Sequence, residues 1–400
     1  MKEIIRVERK RILSLRNFLI FCAIILVFSI VSSLNSLKNY NIYDSSRNIL
    51  INSRDNLKES KLDKHITVLD EKTIKDVVDR KDTSKYLYNS NLVTLIASNY
   101  EKKVEELTDD DISNFYNNRI LNIKENLYEI GMFYNADKLA TKGEDLNTPL
   151  KLGYSEGWKN LNNDMIDFVT ISIFIIPFII LPLFAQDPKT EMKQLYLTTK
   201  LGKKTLVKAR IIAGFEVAFL IYGTALLIFS LSKLLVFGFK GANLPIQSSV
   251  DYFLCPYNIT FVQQYFLNTL IGFMAVMVMV SLTLLFTVII DQILSAAALI
   301  IFFLGIMLTL PSNNYSLNHY FKNFLPYDMT NFNNYYINSH IYSILDKIIP
   351  AATIIILVSF IIYAIFTTCT VTISNIKLCS KLKYNDKLYY CLKNIGNHKE

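Results

Sequence analysis

Apolar residues in this chain gather into six long stretches separated by polar ones. Residues 17–37, 168–186, 252–290, 292–321 and 348–376 contain no Asp, Glu, Lys or Arg, and 211–232 contains only Glu216. A bilayer core takes about 20 such residues as a helix. The pattern predicts spans at 17–37, 166–186, 211–237, 264–290, 292–311 and 348–374. The expected fold class is all-α, a polytopic membrane protein with six transmembrane helices. The first apolar run is too long for the core of a cleaved signal peptide, so it is expected to stay as an anchor.

Residues 38–165 between the first two spans follow a different pattern. Leu92, Leu95, Ile96, Tyr100, Val104 and Leu107 recur at helical steps, as do Ile112, Phe115, Tyr116, Ile120, Ile123, Leu127, Ile130 and Tyr134. Thr108 followed by Asp111 fits a helix cap ahead of the second stripe. A helical extracellular domain is expected here, serving either as a small cap or as a module that binds a substrate or partner.

Charge sets the orientation. Segments 1–16, 187–210 and 375–400 are rich in Lys and Arg, whereas the short loops 238–263 and 312–347 contain only Lys240, Lys322 and Lys347. Basic residues in short loops mark the cytoplasmic side. Both termini are therefore expected inside and residues 38–165 outside. Net charge is +8, yet the stretch 35–165 holds 19 basic and 22 acidic residues, so the excess lies beside the spans. That distribution suits anionic membrane lipid and argues against nucleic acid. The five Cys and four His are scattered, none at ligand spacing, so no metal site is expected.

The loop between the second and third spans has internal structure. Asp187 can cap a helix that Pro188 opens, Met192, Leu195, Tyr196 and Thr199 share one face, and Gly202 supplies a stop. A short amphipathic helix is expected over 188–204, acting either as a basic anchor on the inner surface or as a docking helix for a cytoplasmic partner. Glu216 lies six residues past Arg210, about 9 Å along the helix. It needs a partner such as an inner-surface Lys or Arg, or a place on a coupling or substrate route. Lys233 and Asp167 are expected to snorkel to the outer interface. Pro177 and Pro182 can kink the second span, as simple bends or as part of a gate. Asp291 fits a tight cytoplasmic turn or a coupling role. The Asn- and aromatic-rich loop 312–347 is compatible with a re-entrant helix. In the N-terminal segment 1–16, Ile5, Ile12 and Leu15 fit an interfacial helix, with Glu8 interrupting the apolar face.

The order of Tyr154-Ser155-Glu156-Gly157-Trp158-Lys159, Phe184-Ala185-Gln186-Asp187, Thr198-Thr199-Lys200-Leu201-Gly202-Lys203-Lys204 and Lys208-Ala209-Arg210 resembles the Firmicute-type permeases of type-2 ATP-binding-cassette (ABC) exporters. Asp187 stands where such permeases usually have Glu, and Glu191 where Gly is common. The resemblance implies a permease subunit of the bacterial plasma membrane that moves an amphipathic peptide, antibiotic or lipid. It makes 188–204 the coupling helix to a separate ABC ATPase, with a second copy or a related permease as partner. Gly202-Lys203-Lys204-Thr205 is not a phosphate-binding loop, because Leu197 replaces the first glycine and Lys204 the required Ser or Thr. ATP and Mg therefore belong to the partner ATPase, and this chain is expected to hold no cofactor and to be no enzyme itself. The alternative is a membrane-anchored sensor or interaction protein whose extracellular helical domain binds a ligand.

Overall fold

The computed structural model describes residues 1–38, 42–44, 49–51, 66–79, 91–100, 102, 104–129, 149–185, 202–290, 292–310, 322–337, 341–344 and 347–396. The protein is predominantly helical. Among the described residues, five helices are long and apolar enough to cross a membrane: Leu15–Leu37, Glu156–Ala185, Thr205–Phe237, Phe261–Ile289 and Ala351–Lys377. A sixth apolar helix, Ile293–Thr309, has 17 residues, about 25 Å of length against a core of about 30 Å. Ser and Thr residues along the spans donate to carbonyls three or four positions back, as Ser172 does to Phe168 and Thr283 to Met279. Such bonding satisfies those hydroxyls in an apolar setting, whereas the buried Thr269 hydroxyl of the span Phe261–Ile289 has no partner among the described residues.

Helix α1 (Lys2–Ile12) ends at Leu13, and α2 (Leu15–Lys38) begins after Ser14, whose Oγ accepts from the Asn17 amide at 3.2 Å. That bond is an N-cap and separates the surface helix from the first span. Two strands, β1 (Ile42–Asp44) and β2 (Ile49–Ile51), pair antiparallel after it.

A small domain follows. Strand β3 (Thr67–Val68) pairs with β4 (Lys151–Leu152), which brings the two ends of the domain together. Between them lie α3 (Glu71–Val78), α4 (Asn91–Ala97), α5 (Asp109–Ser113) and α6 (Phe115–Glu129). Thr108 and Asp111 form a reciprocal capping box at the start of α5. The helical stripe breaks at Asn114, so Ile112 and Phe115 enter the core from two helices rather than one. Leu69, Ile74, Leu92, Ile96 and Leu150 complete that core, together with Phe253 from a distant loop.

The spans then run in series. Helix α7 (Glu156–Ile180) is interrupted at Leu181 and resumes as the single turn Pro182–Ala185. Pro182 has no amide hydrogen to continue the ladder, which accounts for a break directly before it, while Pro177 sits within the helix. The helix begins ten residues before the sequence placed the span at 166, because its first turns are polar but still pack. Leu161 and Asn162 are buried there. Helices α8 (Gly202–Phe237), α9 (Phe261–Ile289), α10 (Ile293–Thr309) and α11 (Ala351–Gly396) follow. Helix α9 is the centre of the bundle, with 78% of its apolar window enclosed, whereas α2 and α11 are peripheral at 22% and 17%. Helix α11 has 46 residues, about 69 Å of continuous helix. Lys377 donates to the last carbonyls of α9, Val288 and Ile289, at 2.7 and 2.6 Å.

The stretch considered for a re-entrant helix folds differently in its described part. Residues Asp328–Thr330 form a 3-10 turn and Asn333–Tyr336 a single helical turn, followed by the hairpin of β5 (Ile341–Ile344) and β6 (Lys347–Pro350). Met329, Phe332, Tyr335 and Tyr336 are buried against the bundle. Bulky aromatic anchors and side-chain hydrogen bonds satisfy this turn, so a helix is not needed to shield the backbone.

Candidate functional site

Three polar constellations stand out in a bundle whose core is mostly aliphatic and aromatic. The first lies where α1, the end of α7 and the start of α8 meet. Glu8 is 3% exposed and accepts from Arg210 Nε at 3.1 Å and from Arg11 Nη1 at 3.2 Å. Arg11 also reaches the Pro182 carbonyl at 3.4 Å, and the Arg210 guanidinium sits 5.5 Å from the centre of the Phe184 ring. Glu8 therefore does not interrupt the packing face of α1. It is the polar centre of that face, and Ile12 is the buried apolar residue one turn on. Its partner is 202 positions away, a separation that periodicity within α1 cannot reveal. Six residues further along α8, Glu216 lies 3.6 Å from Arg9, both about two-fifths exposed. Such an open pair contributes little by itself.

This cluster borders the basic loop. Asp187, Glu191, Met192, Leu195 and Tyr196, the residues expected to form the docking face, lie outside the described residues. Gly202, expected as the stop of that loop helix, is the first residue of α8.

The second constellation sits inside the bundle. Lys233 of α8 has no exposed side-chain surface and forms an ion pair with Asp164 of α7. It also donates to Ser32 Oγ of α2 at 3.0 Å, and Ser32 in turn donates to Asp164. One turn away, Ser29 and Ser232 share a hydrogen bond. The expectation that Lys233 snorkels outward is corrected here. It shares a face with Phe229, Ser230, Leu234 and Phe237, all buried, while Leu231 and Leu235 are the exposed residues. The stem therefore points between three helices and cannot reach the rim. The signal was present in the sequence as an opposite charge, Asp164, at the same end of a neighbouring span. Asp167, one turn along α7, is exposed.

A third constellation gives the Tyr154–Lys159 motif a structural role. Tyr154 donates its hydroxyl to the Phe237 carbonyl, and Trp158 donates its indole to Phe239 at 3.0 Å. Lys159 lies 3.5 Å from Asp251. Gly157 lies so close to Gly238 that a Cβ would stand 2.0 Å from that carbonyl oxygen. Gly241 has φ +83°, and a Cβ on it would meet the Tyr154 carbonyl at 2.3 Å. Two glycines are thus required for the turn after α8 to be clasped against the start of α7. The same loop reaches the small domain, where Arg119, 1% exposed, donates Nε and Nη2 to the Phe253 carbonyl at 2.9 and 2.7 Å. Burial pulls the Arg119 guanidinium down to about 10. Deeper in, Asn162 donates to the Phe261 carbonyl at 3.2 Å, Asn268 donates to Asn162, and Tyr336 donates to Asn268 at 2.8 Å.

Among the described residues, no three His, Cys, Asp or Glu side chains gather as metal ligands. The charged groups pair across helices, and this arrangement can hold or transmit position. Searches against family models, curated proteins and solved structures return no match to this chain.

Proposed function

We propose that this membrane-embedded chain is the permease subunit of an ABC-type exporter. In this reading it has six spans, lies in a bacterial plasma membrane with both termini cytoplasmic, and holds residues 38–165 outside. A separate ATPase binds ATP and Mg and docks on 188–204, and a second copy or related permease completes the pore. The cargo is an amphipathic peptide, antibiotic or lipid.

One observation supports this reading above the others. Glu8, Arg11 and Arg210 tie α1 to the two helices that flank the basic loop. A force on the loop would therefore reach α7 and α8 together. Lys233, Asp164 and Ser32 join the same two helices to α2 near their other end. The three helices form a single body for transmitting a push, which a passive anchor does not require.

The test is co-purification in mild detergent with the ATPase encoded beside this chain. Wild type retains the ATPase, and the double substitution Leu195→Asp/Tyr196→Asp loses it. Absence of any complex, or a complex indifferent to both changes, refutes the proposal. The small domain packs a core separate from that of the spans, closed by Phe253, and a ligand-binding sensor is the second reading. A complex that fails to form while the domain captures a ligand would support that alternative.

A further inference from the structure

In the loop between α8 and α9, two neighbouring side chains enter different cores. Tyr252 is buried in the core of the spans, whereas Phe253 is buried in that of the small domain. The loop is no slack connector. Its ends close on each other, the Ile246 amide donating to the Ile259 carbonyl at 3.0 Å and the Phe261 amide to the Leu244 carbonyl at 3.1 Å. A capping box of Thr260 and Gln263 then starts α9 directly. On the domain side, the Arg119 fork on the Phe253 carbonyl is reinforced by its guanidinium, 4.8 Å from the centre of the Phe253 ring. A displacement of the small domain therefore pulls on Tyr252, one residue away.

The Tyr252 hydroxyl has two partners within reach. It donates to Asn163 Oδ1 of α7 at 3.2 Å. Gln264 of α9 lies beside the same group: burial pushes the Tyr252 hydroxyl up to about 12, and the Gln264 amide acts against that rise. Gln264 is fully enclosed, yet neither its Oε1 nor its Nε2 has a formed hydrogen bond among the described residues. Native interiors seldom leave both ends of an amide unmade. If the hydroxyl turns from Asn163 to Gln264 Oε1, a buried acceptor gains its donor. Asn163 loses little, because it is exposed and water can replace the phenol. The two arrangements are therefore close in free energy, the condition for a bistable element.

We infer that Tyr252 is a two-position latch between the small domain and the bundle: its hydroxyl holds α7 through Asn163 in one state and α9 through Gln264 in the other, and the seat of Phe253 in the domain selects between them. Cargo or signal arriving at the domain would reach the spans by this route, so the latch stands under either functional reading.

The test places meta-fluorotyrosine at position 252 of the full chain, in detergent, and reads its fluorine resonance. Slow exchange between the two positions gives two resonances, and fast exchange gives one at their weighted mean. Asn163→Ala should shift the population toward Gln264 by about fivefold, the ratio for one ordinary hydrogen bond. Gln264→Leu should shift it toward Asn163 by a similar ratio, so the two variants move the signal in opposite directions. Arg119→Lys, which loses the bidentate fork, should also move it, because the domain selects the state. Asn117→Ala, at an exposed position of α6, should leave it unchanged. Thermal melting confirms that each variant is folded, and Gln264→Met replaces Gln264→Leu if the latter is not. A signal indifferent to Gln264, displacement in the same direction by Asn163→Ala and Gln264→Leu, no response to Arg119→Lys, or an equal response to Asn117→Ala overturns the latch.

Discussion

Removing the carboxylate of Asp164 should be among the most damaging single changes in this bundle. In wild type the ammonium of Lys233 is fully enclosed and has two partners, Asp164 and Ser32 Oγ. After Asp164→Ala the serine oxygen at 3.0 Å is the hydrogen-bond partner left among the described residues, and Asp167 acts on the ammonium as a charge without a hydrogen bond to it. A buried charge stripped of its counter-ion costs about 3–5 kcal/mol. Each kcal/mol lowers the melting temperature by about 2–4 °C in chains of 150–250 residues and by less in longer ones, so a fall on the order of 5–10 °C is expected. The apolar pair Asp164→Leu/Lys233→Met removes both charges, and such replacements are commonly neutral or stabilising. It should recover most of the loss. The assay is thermal unfolding of the purified chain in one detergent for wild type, Asp164→Ala, the singles Asp164→Leu and Lys233→Met, and the double variant. The reasoning fails if Asp164→Ala melts with wild type, or if the double variant is as unstable as the singles added together. The second outcome would mean that the two residues act independently.

Two further outcomes are expected. Gly157→Ala places a Cβ 2.0 Å from the Gly238 carbonyl oxygen, so the clasp must open; gel filtration should show loss of the monodisperse species, while Gly223→Ala, with nothing within 4 Å, should behave as wild type. Burial raises the Asp328 carboxyl to about 6, outweighing the lowering effect of Lys322 3.5 Å away. The folded protein thus binds this proton more tightly than the unfolded chain does, so the contribution to stability grows as pH falls from about 6 to about 4 and is lost as pH rises. Asp328→Asn should flatten that part of the profile in a melting series between pH 4 and 7. An unchanged slope would show that another group titrates there.

The spans were legible because twenty uninterrupted apolar positions have few other stable outcomes in water or lipid. The helical small domain was legible through its stripes and the Thr108 cap. What escaped was pairing between distant positions. Hydropathy counted Glu8 as a break in a face and Lys233 as a rim residue, since each was weighed against its own helix. Their environments are set by Arg210 and Asp164, which only tertiary packing brings close. The polar turns at the start of α7 escaped for a related reason. A window tuned to apolar content cannot see a helix whose first ten residues bury asparagine. Conversely, the motif Tyr154–Lys159 was visible as a string of residues, but its clasp on Phe237, Phe239 and Gly238 emerges only when both segments are in place. The face of the basic loop rests on the residues around Leu195, outside the described structure.

Helix α11 has a geometric consequence of its own. Its span ends near Lys377, fastened to the last carbonyls of α9. Nineteen of its residues continue to Gly396, a further length of about 28 Å. That length works as the needle of a gauge whose pivot is the Lys377 contact. A tilt of 10° at the pivot would carry the tip through roughly 5 Å. A spectroscopic label near residue 396 would magnify rotations of the span that are too small to follow within the bilayer.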